Sequence, residues 1–526
     1  MLDWLAGEGT LDGRSLARVL AEKSGLPLVD LPQTGTTAAA LAALPRGTAE
    51  RMTVFPLARD TDSLRVAVAN PFDFGAIDEL GHLTGLGIEP TVAPLGEIRL
   101  AISRHYGADA IGAAADEAPA RYGERDNDPP IAVDDEAPVI QLVQAILRDA
   151  INRRASDIHF EPLERRFRVR FRIDGVLQEI ADPPWRLQRA VISRLKIMAN
   201  MSIAENRLPQ DGRARIGMEG RLLDLRLSSL PTVHGESIVM RILEPERLRL
   251  GLEKLGLDPG DRQSLERLLA WPDGIVLVTG PTGSGKTTTL YACLHQLNRA
   301  DRKIITVEDP VEYQITGINQ VSVRGETGLT FATALRAMLR QAPNIIMVGE
   351  IRDRETAGIA INAALTGHLV LSTLHTNDAA GAVTRLIDIG VKPFLVASGL
   401  RAVVAQRLVR RVCPECGQPA GLTAIERRGW PASLAVAGAS VLRRGAGCLA
   451  CERAGYRGRV GLFEFLHVDD RIRRLIHEGG SAARLRAEAR AAGMATLRED
   501  GWRKVRAGLT TIDEVLASTV DDANGL

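Results

Sequence analysis

Residues Gly280-Pro281-Thr282-Gly283-Ser284-Gly285-Lys286-Thr287 fit the pattern G-x-x-x-x-G-K-[ST]. Before them runs Gly274-Ile275-Val276-Leu277-Val278-Thr279, short, apolar and β-branched, the composition of a buried parallel strand. After them Thr288-Thr289-Leu290-Tyr291-Ala292-Cys293-Leu294 reads as a helix. Strand, glycine loop and helix are the context in which this pattern binds phosphate. Glycines let backbone N–H groups face phosphate oxygens, and the helix N-terminus adds a favourable dipole. Lys286 is placed to reach the β- and γ-phosphates of ATP and Thr287 to hold Mg²⁺; Gly280 through Thr288 form the expected nucleotide-binding set. The bland alternative, a chance glycine turn, leaves the flanking strand and helix unexplained.

Working outward, the strand Lys303-Ile304-Ile305-Thr306-Val307 leads into Glu308-Asp309-Pro310-Val311-Glu312. The next, Asn344-Ile345-Ile346-Met347-Val348-Gly349-Glu350, again closes on a carboxylate, the Walker B position, where it can hold a water of the Mg²⁺ shell. A third strand, Leu369 to Thr373, follows Thr366-Gly367-His368 and closes on Leu374-His375-Thr376. Ligands of open α/β sheets bind at the C-terminal strand edge, so Glu312, Glu350 and His375 are expected around one site.

The 526 residues predict several domains, and 45% hydrophobic with 25% charged residues is ordinary globular composition. A net charge of +1 gives no reason to expect nucleic acid or an anionic membrane as a general partner. Met1-Leu2-Asp3-Trp4 lacks the basic and apolar regions of a signal peptide, and no apolar run reaches the ~18 residues of a membrane span. A cytoplasmic protein is therefore expected, meeting a membrane only through partners. Of five cysteines, four form the pairs Cys413-Pro414-Glu415-Cys416 and Cys448-Leu449-Ala450-Cys451, which suit a closed tetrahedral Zn²⁺ site. The pairs lie further apart than in a usual zinc ribbon, so the loop between them reads as an insertion. Cys293 is expected to be buried.

In chain order, residues 1–108 read as an α+β docking domain: a helix from Trp4 to Leu31 with Leu11, Leu16, Val19 and Leu20 inward, strands at Thr53–Leu57 and Leu64–Ala69, and no catalytic constellation. Residues 109–137, rich in small residues, charges and proline, read as a flexible linker. Residues 138–252 read as a second α+β domain. There Phe167-Arg168-Val169-Arg170-Phe171-Arg172-Ile173 alternates arginine with apolar residues and ends at Asp174-Gly175, a hairpin signal. Arg207, Arg213, Arg215, Arg226 and Arg241 follow. Either this is a solvated sheet face, or a basic surface that meets nucleotide; spacing alone favours neither. Residues 253–412 form the ATPase core, 413–455 the zinc insertion, and 456–526 a helical subdomain with a capping-box pattern at Thr511-Ile512-Asp513-Glu514. The fold class is α/β: a P-loop, RecA-like ATPase core with preceding α+β domains, a four-cysteine insertion and C-terminal helices.

GPTGSGKTTTLY (280–291), ITVEDPVEYQ (305–314), IMVGEIRDRETA (346–357), TGHLVLSTLHTNDA (366–379), SDIHFEP (156–162), RLPQDGRARI (207–216) and the cysteine pairs resemble the type II secretion and type IV pilus assembly ATPases over nearly the whole chain. The resemblance implies a homo-hexameric cytoplasmic ring that hydrolyses ATP. It implies docking under an inner-membrane platform protein, recruitment of the N-terminal domain by a bitopic membrane protein, and addition of pilin-like subunits to a filament. It also implies roles: Lys286 and Thr287 on phosphate and Mg²⁺, Glu312 as general base, Glu350 as Walker B carboxylate, His375 as γ-phosphate sensor with His368 its companion, and Arg213 and Arg226 offered to nucleotide.

Two departures stand out. Ala342-Pro343-Asn344 replaces the family's Asp-Pro-Asp, which puts any role of those aspartates in doubt, while the retained Glu350 predicts hydrolysis. The Arg-Leu-Gly motif by which some relatives bind a cyclic dinucleotide is absent, so no such binding is expected. Secretion is the favoured role, with pilus extension as the alternative. A retraction motor is disfavoured because such relatives lack the zinc insertion and the long N-terminal domain. A DNA-handling ring would call for a basic, aromatic-lined channel, against 4% aromatics. A non-hydrolysing scaffold would not call for Lys286, Glu312 and Glu350 together.

Overall fold

The computed structural model describes residues 13–99, 101–102, 105–106, 137–218, 221–243, 251–421, 423 and 442–520. The expected linker, but for its last residue, lies outside them, as does the start of the first expected helix. Two compact units emerge, Met1–Glu244 with Gly447–Gly455, and Pro245–Ala446 with Tyr456–Leu526.

In the first unit, β1 (Val54–Arg59) pairs antiparallel with β2 (Ser63–Val68), which pairs parallel with β3 (Gly87–Val92). The crossover helix Phe74–Thr84 begins at Asp73, whose carboxylate accepts from the Ala76 N–H, and stops at Gly85 in the left-handed region. Leu64, Val66, Leu80 and Ile98 fill the core. The first helix is described over Gly13–Ser24 and buries Ala17 and Ala21, with Val19 46% exposed. This corrects the face expected from Leu16 and Val19. Ala17 and Ala21 pack on Val92, and small side chains let the helix approach β3 closely.

The same unit holds a six-stranded antiparallel sheet of β4 (Asp157–Pro162), β5 (Phe167–Ile173), β6 (Val176–Ala181), β7 (Gln210–Met218), β8 (Arg221–Thr232) and β9 (Gly235–Leu243), in the order β6-β5-β4-β9-β8-β7. Asp174 and Gly175 both have positive φ, the two-residue turn that suits the twist of a hairpin. The helices Ala137–Asn152 and Gln188–Met198 cover one face, where Ile146, Val191, Phe160, Phe171, Leu225 and Met240 meet. Alternation therefore sends the charged residues of these strands to the other face.

The second unit is built on β10 (Gly274–Thr279), β11 (Ile304–Glu308), β12 (Asn319–Ser322), β13 (Ile345–Val348), β14 (Leu369–Leu374), β15 (Leu400–Val412) and β18 (Tyr456–His467), ordered β12-β11-β13-β14-β10-β15-β18. A separate ribbon pairs β16 (Gly417–Ala420) with β17 (Leu442–Gly445). The large sheet is parallel except for β18, antiparallel to β15. Alternate residues of β10 feed two cores. Val276 and Val278 pack with Leu290 and Leu294 of the helix Lys286–Leu297; Ile275 and Leu277 pack with Ile361 and Val383 on the other side. Burial on both faces explains why these strands are continuously apolar.

Two expectations for the C-terminal region need correction. The segment opens with β18 rather than a helix, because Phe463 and Phe465 face one core and Leu462 and Leu466 the other. The helices follow, at Asp470–His477, Ala482–Ala491, Leu497–Arg506 and Ile512–Ser518. The capping box expected at Thr511 does not form. The Thr511 hydroxyl lies 2.9 Å from the Tyr456 hydroxyl, and Glu514 instead accepts from the Arg410 backbone and guanidinium. Capping boxes form at Thr330–Thr333 and Thr496–Glu499.

Candidate active site

The site lies at the C-terminal edge of four adjacent parallel strands, β11, β13, β14 and β10. In the glycine loop, Gly280, Gly283 and Gly285 all have positive φ. A Cβ at Gly280 would lie 2.4 Å from the Gln406 carbonyl, and one at Gly285 2.8 Å from its amide nitrogen, so both glycines permit the loop to rest on β15. Thr289 donates to Gln406 at 2.7 Å and fixes that support. Lys286 donates to the carbonyls of Gly280 and Pro281 at 2.9 and 3.0 Å. Burial lowers its pKa, opposed by the charge of Glu350. The Ser284 hydroxyl is buried with no hydrogen-bond partner among the described residues. An orphan hydroxyl and a lysine folded onto its own loop fit a phosphate group. Thr287 is exposed at the start of the helix, as a Mg²⁺ ligand must be, and Thr288 is half-buried.

Glu350 follows β13 and is paired with Arg352 at 2.5 Å; His375 Nε2 lies 3.5 Å from its other oxygen. Burial and the nearby Lys286 lower the His375 pKa, while Glu350 opposes the shift. The imidazole is thus neutral at neutral pH. Both loops are tied down. Thr373 donates to the Gly349 carbonyl at 2.7 Å, and the Thr376 N–H donates to Thr279, the residue before the glycine loop, at 3.0 Å. Asp378 caps the helix Ala379–Asp388 and is salt-bridged to Arg486.

Not every expected residue reaches this edge. Glu308 is 3% exposed and belongs to an internal network rather than to a ligand surface. The Glu312 N–H donates to the Tyr291 hydroxyl at 3.2 Å, which fixes its loop. His368 precedes β14 and hydrogen-bonds near the Ala363 carbonyl, at the opposite edge from His375. Six strand residues separate the two, on the order of 20 Å, so the structure does not bring His368 to this site. Ala342 and Asn344 also lie at that opposite edge. Asn344 accepts from the Lys303 N–H at 2.8 Å and joins the starts of β11 and β13. Nothing in the residue types of Arg352, Tyr291 and Gln406 marks their places around this site in the sequence.

The arginines of the first unit form a cross-strand row: Arg213 lies opposite Arg226, Arg226 opposite Arg241, Arg241 opposite Asp157, and Asp157 opposite Arg172. Asp224 holds Arg213 at 2.7 Å, Asp157 holds Arg241 and Arg172, and Glu161 holds Arg168 and Arg170. The solvated-face reading thus accounts for Arg168, Arg170 and Arg172. Arg213 keeps a half-exposed side chain.

The thiols of Cys413, Cys416, Cys448 and Cys451 lie within 4.8 Å of one another. The Cys448 and Cys451 sulfurs are 3.7 Å apart, near the ~3.8 Å edge of a tetrahedron with Zn–S bonds of about 2.3 Å. The N–H groups of Cys448 and Gly455 donate to the Cys451 sulfur at 3.2 Å. These donors stabilise thiolate, so the cluster fits zinc. Cys293 is buried, which pushes its thiol up to about 12.

The glycine loop, the two anchored strand-end loops and the doubly wound sheet define a nucleotide-hydrolysing P-loop protein. The type II/IV secretion system protein family matches residues 132–517, and the MshEN domain matches residues 24–111. The chain belongs to the type II/IV secretion system protein family and is an ATPase of secretion or pilus assembly. It is 46% identical to the type IV pilus assembly ATPase PilB of Myxococcus xanthus, covering 98% of this chain and 93% of that protein. It is 44% identical to the type II secretion system protein E of Xanthomonas campestris pv. campestris, covering 99% and 93%. Among solved structures, the pilus retraction motor PilT with bound ADP matches with a TM-score of 0.50 and 28% identity, over 72% of this chain and 97% of that one. Among the described residues no helix is long and apolar enough to cross a membrane.

Proposed function

We propose that the protein is a hexameric ATPase that powers assembly of a pilin-like filament for type II secretion across the outer membrane. The observation that carries this reading is the meeting of Lys286, Glu350 and His375 at one strand edge, in a chain aligned almost end to end with a secretion ATPase. ATP enters with its phosphates over Gly280–Thr288, and Lys286 exchanges its loop carbonyls for phosphate oxygens. Glu312 accepts a proton from the attacking water, and neutral His375 contacts the γ-phosphate. Mg²⁺, held by Thr287 and through water by Glu350, would supply charge neutralisation. Arg213 and Arg226 leave their local partners to meet the transferring phosphoryl group. Successive closure around the ring acts on an inner-membrane platform protein, with a bitopic membrane protein recruiting the N-terminal domain. The protein thereby works at the inner membrane from the cytoplasmic side, through partners, without nucleic acid.

A second reading, pilus extension, is supported by the near full-length match to the Myxococcus xanthus protein. The test measures ATPase rate against protein concentration with size-exclusion scattering alongside. Specific activity should climb as a hexamer forms. A flat rate from a monomer would remove the ring. Complementation of a secretion-deficient and a pilus-deficient host separates the two readings.

A further inference from the structure

Tyr291 lies on the helix that follows the glycine loop and is 1% exposed. Its hydroxyl is the centre of a buried polar network that the nucleotide-binding motif does not require. It donates to Glu308 Oε2 and accepts the Glu312 N–H at 3.2 Å. Glu308 is fixed in turn by Thr306 at 2.6 Å and by Gln320 at 3.2 Å. Gln320 also donates to the Tyr313 carbonyl at 3.1 Å and accepts the Ile315 N–H at 2.7 Å. The Tyr313 ring packs edge-on against Tyr291, with centroids 4.7 Å apart. The segment from Glu308 to Ile315 is thus stapled to the phosphate-binding helix by the Tyr291 hydroxyl at Glu308 and Glu312 and, further along, by the Tyr313 hydroxyl 3.1 Å from His295 Nε2.

The geometry points to Tyr291 as a positioning residue for hydrolysis, with Glu308 as its anchor: the Tyr291 hydroxyl registers the Glu312 loop against the helix that begins at Lys286. This rests on the reading of Glu312 as the base that accepts the water proton. Three features carry it. Tyr291 and Lys286 share one helix, so movement of the lysine end on binding phosphate is passed to the tyrosine. The hydroxyl binds the backbone of Glu312 itself, not a distant part of the loop. And Glu308 is removed from ligand chemistry: burial raises its pKa, and both its oxygens are taken by protein donors. A buried network with every member satisfied fixes one geometry, because leaving any of its groups unpaired is costly. A loop carboxylate that must reach a water needs that fixity.

The experiment compares the full chain with Tyr291→Phe, Glu312→Gln and the double variant, measuring kcat, KM, affinity for a fluorescent ATP analogue and Tm. Tyr291→Phe should lower kcat about tenfold, with nucleotide affinity within about twofold of wild type. The double variant should be no slower than Glu312→Gln alone, because Tyr291 acts only through Glu312. A merely structural tyrosine would instead slow the Glu312→Gln background further, or weaken nucleotide binding in step with kcat; either result overturns the proposal. Wild-type kcat in Tyr291→Phe beside an inactive Glu312→Gln also overturns it and leaves the base assignment intact. An active Glu312→Gln removes that assignment and the proposal together.

Discussion

The strand-edge site of the second unit and the arginine row of the first are both charged, and they are held in opposite ways. At the strand edge, the Thr279 and Thr373 hydroxyls tie the loops to one another by bonds to the Thr376 N–H and the Gly349 carbonyl, and the sheet beneath is buried on both faces. In the row, Arg213 and Arg241 are held by carboxylates of their own sheet, on a face with exposed side chains. The first arrangement is held together by hydrogen bonds within one chain. The second is a surface neutralised by its own carboxylates, and its proposed role requires an anion that displaces those partners. A site set by backbone survives isolation of the chain, whereas a site set by exchangeable ion pairs depends on what approaches it, since exposed pairs contribute little to stability.

The largest effect is expected at Lys286. Lys286→Ala should cut ATP turnover about a thousandfold, through loss of the cation proposed to reach phosphate from the loop; near-normal steady-state hydrolysis would show that the strand edge is not the reacting site. Glu350→Gln should lower turnover about a hundredfold and still bind ATP, because it changes the carboxylate proposed to face the Mg²⁺ shell and leaves the glycine loop intact. Equilibrium binding beside turnover checks this, and joint loss of both would move Glu350 from chemistry to architecture.

Glu464 of β18 holds the start of the helix that follows the His375 loop. It accepts the Ala379 N–H at 2.8 Å, and burial raises its pKa to about 7. A carboxyl whose folded pKa lies above its unfolded value favours folding below the unfolded value, near 4.5, and loses that contribution as pH rises toward 7. Glu464→Gln should therefore match wild type near pH 5 and exceed it by about 2 kcal/mol near pH 8, read from denaturation midpoints. An unchanged pH profile would mean that Glu464 ionises freely.

The smallest effect belongs to the row. Arg226→Ala should lower turnover about tenfold in the assembled state and leave Tm within about 2 °C, because its neighbours are already paired. No change in rate would make the row a solvated face and nothing more.

Much of the strand-edge site is legible in the chain because its parts are local. Gly280 to Thr287 carry their meaning within eight consecutive residues, and Glu350 and His375 each sit just beyond a recognisable apolar strand. Tyr291, Glu308 and Gln320 lie far apart in sequence, and each residue type is commonplace alone, so nothing marks them as a network. His368 shows the reverse. It shares a motif with His375, yet a strand of six residues carries the two to opposite edges of the sheet. The Thr511 pattern misleads for a related reason: a capping motif is a local preference, and Tyr456 and Arg410 outbid it with partners brought from elsewhere.

By itself, then, the sequence determined the phosphate loop, the strands β10, β11, β13 and β14 around it, the pairing of four cysteines and the carboxylates at strand ends. These depend on spacing along the backbone, where steric limits and side-chain period act over a few residues. Tertiary structure alone decided which acid faces a ligand and which is buried, that Gln406 supports the glycine loop, that β18 closes the sheet, and that the arginines stand in one row. Those outcomes rest on pairing between distant strands and on burial. Register and desolvation set them, and neither is a property of any short stretch of chain.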